Sequence, residues 1–301
     1  MNRVRKQIHY SRAEKEQLTG YHIGVGVLDS GIFPHEDLKD QIRAFRDFTN
    51  KYQLPYDETG HGTHVCGILA GNGCVLHGKY KGMAPCCDLY VGKILNKRGE
   101  GSLKTLLRGL QWLLSIAESC NIRVINISVS SIASARPEEQ RKLYELFQYA
   151  YENNILIVTA AGNFGPGDNT ISRLGDTPYV ICVGCHDGDL ENGGLRCQDC
   201  SGRGPGENVW KKPDVVAPGT QIISCQAAYG KYVARSGTSM ATPIVSGLLA
   251  LAWEKYPYLN AMQLKRKLIL SATDLGESYL MQGAGMVDVE KMLYETLTGT
   301  V

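Results

Sequence analysis

Three short segments of this chain hold residues that can do chemistry together. Val27-Leu28-Asp29-Ser30-Gly31 offers a carboxylate, and Gly60-His61-Gly62-Thr63-His64-Val65 offers two imidazoles. Ser236-Gly237-Thr238-Ser239-Met240-Ala241 offers a hydroxyl. A serine is a weak nucleophile at neutral pH. A histidine that takes its proton, oriented by an aspartate that selects the tautomer, makes it a strong one. Each residue also has an ordinary structural reading. Asp29 can open an Asp-Ser-Gly turn, His61 can end a helix or pack in a core, and Ser239 can cap a helix. His61 and His64 stand three apart, as ligands on one helical face do, but no glutamate lies between them in the zinc-protease spacing.

The elements that must aim these groups follow from the apolar pattern. Residues 21–28 (YHIGVGVL), 123–129 (RVINISV), 155–161 (ILIVTAA), 179–183 and 214–217 are near-continuous apolar runs. Runs of this kind read as parallel strands covered on both faces. Between them, Leu103, Leu106, Leu107, Leu110, Leu113, Leu114 and Ala117 form one helical face. Leu143, Leu146, Phe147 and Ala150 form another, opened by Pro137. The alternation predicts a three-layer α/β/α sandwich with a mainly parallel sheet. One domain over residues 1–301 is expected, with 1–20 as a short extension in which Ser11-x-x-Glu14 reads as a capping box. Asp29 then falls at the carboxyl end of a buried strand, where α/β folds place their sites. Ser239 opens a long apolar helix over residues 240–256, whose first turn supplies unpaired N–H groups. Pro243 is expected within that first turn, where its missing N–H costs little.

The conjunction of these strings, from about Tyr21 to about Ala272, resembles the subtilisin-like serine proteases. Residues 71–78, 82–85 and 121–126 look most like the intracellular-type bacterial members. The resemblance implies that Asp29, His61 and Ser239 are acid, base and nucleophile, and that His64 is a packed residue of the same helix. It maps an oxyanion-binding amide onto Asn163, which follows the strand end Ala160-Ala161-Gly162. It also implies that an extended peptide pairs with the edges Gly99-Glu100-Gly101-Ser102 and Ser128-Val129-Ser130, beside Ala160 and Gly162. Where the family often carries two glycines on its main specificity pocket, this chain has Ser130-Ser131. Small or medium side chains are therefore expected before the cut. The activity implied is an endopeptidase cutting extended or unfolded polypeptides through an acyl-enzyme. The alternative is a non-catalytic regulatory or peptide-binding protein on the same fold.

Charge is nearly balanced, 32 basic against 30 acidic residues, so nothing asks for nucleic acid or an anionic membrane as partner. The expected partner is a peptide or protein substrate, and the pattern leaves oligomeric state open. No apolar h-region follows the basic start and no apolar stretch reaches a membrane span, so a cytoplasmic location is expected, with a secreted mature domain as the alternative. Ten cysteines in a chain of this size then read as mostly reduced thiols. Cys182-x2-Cys185 and Cys197-x2-Cys200 have four-thiolate zinc spacing. Strand alternation places Cys182 and Cys185 on opposite faces, so small buried thiols are the simpler account and no metal is expected in the chemistry. The resemblance allows a structural calcium, but residues 71–78 are poor in carboxylates and name no ligands.

Overall fold

A computed structural model describes residues 1–50, 52–129, 136–188, 196–206 and 210–296. Its centre is a seven-stranded parallel sheet. The strands are β1 (Gly24–Asp29), β2 (Ile42–Asp47), β3 (Asp88–Lys93), β4 (Ile122–Ile127), β5 (Leu156–Ala160), β6 (Val180–Cys185) and β7 (Val215–Ala217), in the order β2-β3-β1-β4-β5-β6-β7. Every residue of β1, β5 and β6 is buried, which is why those strands read as unbroken apolar runs. Two strands of this sheet escaped the sequence reading. β2 lies at the sheet edge, half exposed, and carries Arg43 and Arg46, the charges that protect an edge from further pairing. β3 ends on a buried lysine, Lys93, which breaks its apolar pattern.

Helices cover both faces. α3 (His61–Ala70) and α7 (Thr238–Lys255) pack on one side, joining Val65, Ile68, Leu248 and Leu249 to Val25 and Val27 of β1. α4 (Leu103–Ile116) and α5 (Pro137–Glu152) pack on the other, where Leu106, Leu110 and Phe147 meet Leu28 and Ile125. Pro137 is the first helical residue of α5, as its missing N–H favours. The sandwich expected from the sequence is the observed architecture. An antiparallel hairpin of β8 (Ile222–Cys225) and β9 (Tyr232–Arg235) sits outside the main sheet and leads into α7.

The N-terminal residues are built into this core: Met1, Val4, Ile8 and Ala13, on and beside α1 (Asn2–Gln7) and α2 (Ser11–Lys15), are buried in it. The capping-box reading of Ser11 does not hold. Ser11 is the first residue of α2, after Tyr10, and Glu14 instead accepts from Arg5 Nη1 at 2.8 Å. Among the described residues, no helix is long and apolar enough to cross a membrane.

The cysteines also depart from expectation at one place. Cys185, the last residue of β6, is joined by a disulfide to Cys197, the first residue of α6 (Cys197–Cys200), while the other eight are free thiols. The strand alternation that separates Cys182 from Cys185 is present. Cys182 is buried against Gly175, and Cys200 Sγ donates to the Cys197 carbonyl at 3.3 Å. The four thiols therefore do not converge on one point. The chain is expected to titrate eight thiols when denatured without reductant. A count of ten would mean that Cys185 and Cys197 are open.

Candidate active site

Asp29 is fully buried at the carboxyl end of β1. Its Oδ1 accepts from the Ser30 amide at 2.7 Å and bonds His61 Nδ1 at 2.7 Å. A carboxylate oxygen can only accept, so Nδ1 carries the proton and Nε2 presents a lone pair. Three-quarters of the imidazole is covered, its side chain being 24% exposed. Burial by itself lowers the basicity of His61. The charge of Asp29 and the hydrogen bond to it outweigh that and raise its pKa, against a smaller opposing effect of Arg235.

The close fit of β1 to α3 needs a residue without a side chain after His61. A Cβ on Gly62 would stand 2.1 Å from the Gly31 carbonyl oxygen and 3.2 Å from Asp29 Cβ. The start of α3 is held by a residue that the sequence reading missed, the buried Asp57. Its Oδ1 accepts from Ser30 Oγ at 2.8 Å and the Gly60 amide at 3.0 Å, and its Oδ2 from the Thr63 amide at 2.8 Å and Thr63 Oγ1 at 2.7 Å. One carboxylate thus caps the helix that carries His61 and ties it to the residue after Asp29. The available signal was an acidic residue in the turn before a glycine-opened helix. Lys93, beside Asp29 in the sheet, donates from Nζ to the Ser30 carbonyl at 2.6 Å and the Leu95 carbonyl at 2.8 Å, and pairs with Glu58 at 3.1 Å.

Ser239 is the second residue of α7, behind the cap Gly237. This helix starts earlier than expected, so Pro243 falls in its second turn rather than its first and removes the partner of the Ser239 carbonyl. Gly237 has φ of 136°, and a Cβ there would lie 3.3 Å from Asn163 Oδ1. The Ser239 hydroxyl donates to the Ser128 carbonyl at 2.9 Å, so in this state its proton points to the backbone and not to His61. Ser239, His61, Ser128, Val129 and Gly99 line one cleft of about 470 Å³.

Asn163 follows the end of β5. Its Oδ1 accepts from the Thr238 amide at 3.0 Å and Thr238 Oγ1 at 3.1 Å. With the oxygen held, the amide orientation is determined and Nδ2 is left to donate outward. Thr238 is therefore a second positioning residue that sequence reasoning did not single out.

The expected peptide-binding residues divide. Gly99, Ser128 and Val129 reach the cleft. Gly101 pairs with Leu95, and Ser102 is the N-cap of α4, its Oγ accepting from the Thr105 amide at 3.2 Å. The Ser102 side chain thus serves the helix. Ala160 is buried inside β5, and Gly162 turns the chain with φ of 98° toward Asn163. Ser130, with its neighbour Ser131, lies outside the described residues.

His64 is fully buried. Its Nε2 donates to the Ile222 and Val233 carbonyls, both at 3.0 Å, joining α3 to the hairpin that leads into α7. Burial pushes its pKa down to about 3. The unfolded chain protonates His64 near its ordinary value of about 6.5. As pH falls, the unfolded state therefore binds this proton first, and the contribution of His64 to stability, complete above about 6.5, is lost toward about 3. The loss amounts to roughly 2 kcal/mol by pH 5. Urea unfolding at pH 7 and pH 5 should show it, and His64→Asn should flatten the difference.

Residues 71–78 do not fit a calcium ion. Asn72 Oδ1 accepts from the Cys74 amide at 2.9 Å. Asp37 accepts from the Val75 amide at 3.0 Å through Oδ1 and from the Tyr232 hydroxyl at 2.7 Å through Oδ2. Oxygens already engaged by N–H and O–H donors are poorly disposed to join the six to eight that calcium takes.

A serine, a histidine and an aspartate recur on unrelated folds, so the geometry alone does not establish ancestry. Residues 20–287 match the model of the subtilase family. The chain is 35% identical over 299 residues to Serine protease AprX of Bacillus subtilis (strain 168), covering 91% of this chain and 67% of that protein. It is 33% identical over 287 residues to the Intracellular serine protease of Paenibacillus polymyxa, covering 90% and 80% of the two. The solved structure of Sphericase superposes with a TM-score of 0.77 at 30% identity, covering 90% of this chain and 92% of that one. Likeness in sequence and fold together, across nearly the whole length, is common descent: the chain belongs to the subtilase family of serine endopeptidases.

Proposed function

We propose that Ser239, His61 and Asp29 carry the peptide-bond hydrolysis of this endopeptidase, with Asn163 and the Ser239 amide binding the oxyanion. The observation that carries the assignment is the 2.7 Å bond from His61 Nδ1 to Asp29, in a cleft shared with Ser239. The Ser239 hydroxyl turns from the Ser128 carbonyl to His61 Nε2, gives up its proton there and attacks the scissile carbonyl carbon. The electron pair of that carbonyl moves onto its oxygen, toward Asn163 Nδ2 and the unpaired amide in the first turn of α7. Collapse expels the amine, which takes the proton from His61. Water then releases the acyl group by the same steps. None of these steps calls for a cofactor. A fluorophosphonate should form a covalent adduct on Ser239, read as a mass shift on its peptide. An unlabelled Ser239 in folded protein would overturn the assignment. No observation favours the non-catalytic alternative.

The substrate proposed is an extended polypeptide lying along Gly99 and the segment at Ser128-Val129. We place the protein in the cytoplasm, a location supported by the eight free thiols and by the likeness to an intracellular protease. The Cys185–Cys197 disulfide opposes that placement.

A further inference from the structure

The cleft around Ser239 carries a charge pattern that peptide hydrolysis itself does not require. Three cations, Lys97, Arg98 and Arg235, line it together with Thr59, His61 and Ser239, and among the described residues no carboxylate does. Among the described residues none of the three is in an ion pair. Two carboxylates, Glu58 and Glu100, line the adjoining hollow beside Lys97 and Arg98, and Asp29 lies behind His61, bonded to its Nδ1 at 2.7 Å. Glu58 pairs with Lys93 at 3.1 Å, and the exposed Glu100 accepts from the neutral Asn96 Nδ2 at 3.1 Å.

Arg235 is held in place by the backbone. It ends β9, and its Nη2 donates to the Thr59 carbonyl at 2.9 Å, two residues before His61. Its Nε is buried without a hydrogen-bond partner. A guanidinium held by one neutral carbonyl has no paired charge, and its remaining Nη hydrogens are left for a carboxylate. Its field also reaches His61, whose basicity it reduces. Because His61 delivers the proton to the departing amine, Arg235 lies on the leaving-group side. Lys97 and Arg98 are exposed and directly precede Gly99, the edge along which the substrate is proposed to lie.

We infer that this protease selects peptides with carboxylates on both sides of the scissile bond, Arg235 reading the leaving-group side and Lys97 with Arg98 the acyl side. The inference rests on the catalytic assignment proposed above. Charges at the rim of a cleft act through attraction that salt screens, so selectivity is largest at low ionic strength.

The test uses matched fluorogenic peptides that differ only in Glu, Gln or Lys, placed either just after the cut or two to three residues before it. At low salt, kcat/KM should fall in the order Glu, Gln, Lys, by about tenfold from first to last, and the spread should shrink at high salt. Arg235→Gln should collapse the ordering after the cut and keep the one before it. Lys97→Gln with Arg98→Gln should do the reverse. Equal rates for Glu and Lys peptides in the unmodified protein, or an ordering that survives these variants, would overturn the inference. Cleavage of the Gln peptide in those cases leaves the catalytic assignment standing. If none of the peptides is cut and Ser239 takes no fluorophosphonate, both fail together.

Discussion

Replacing Ser239 with alanine is expected to lower kcat for peptide hydrolysis by about a million-fold, and replacing His61 with alanine by about as much. The two losses should not add, because either change removes the same event, transfer of the Ser239 proton to the imidazole. A residual rate of about a thousandfold or more over water should remain, supplied by Asn163 and by substrate binding. Single-turnover rates for the two variants and the double variant check this. Full activity in Ser239→Ala would place the nucleophile elsewhere. The pH profile gives a second reading of the same pair. His61 accepts a proton only when neutral, and Asp29 raises its pKa against the effect of burial. kcat/KM should therefore fall as pH is lowered, with a midpoint above the ordinary histidine value of about 6.5.

The next largest loss is expected at Asn163. Asn163→Ala should cost about a hundred- to a thousandfold in kcat with little change in KM, since the amide acts on charge that appears only in the transition state. The structure adds a companion variant. Asn163 Oδ1 is held by the Thr238 amide at 3.0 Å and by Thr238 Oγ1 at 3.1 Å. Thr238→Val keeps the shape and the backbone bond but removes the hydroxyl, so Nδ2 is aimed less firmly. A loss of about tenfold in kcat, with KM nearly constant, is expected. A change confined to KM in either variant would mean that Asn163 holds the substrate in its ground state.

The parts of this protein that could be read from the chain are those governed by local rules. Buried parallel strands are apolar throughout, so β1, β4, β5 and β6 stood out as runs, and α4 and α5 as amphipathic faces. The proposed acid, base and nucleophile were legible because each sits where a strand ends or a helix begins, among glycines that the backbone geometry requires. β2 and β3 were not legible, because Arg43, Arg46 and Lys93 interrupt their patterns for reasons that lie in neighbouring strands.

What the chain could not disclose depends on groups distant in sequence. Asp57 ties the helix of His61 to Ser30, 27 residues away, and Thr238 turns an amide that is 75 residues away. Cys185 and Cys197 pair because α6 comes back to the end of β6, a meeting that their zinc-like spacing does not encode. Lys97, Arg98 and Arg235 are unremarkable surface charges in sequence, and become one field only because the segment before Gly99 and the end of β9 line the same cleft as His61. Residue type and spacing name the reacting groups, because chemistry constrains each of them singly. Their orientation and the charge around them are sums over the folded chain, and no local stretch contains such a sum.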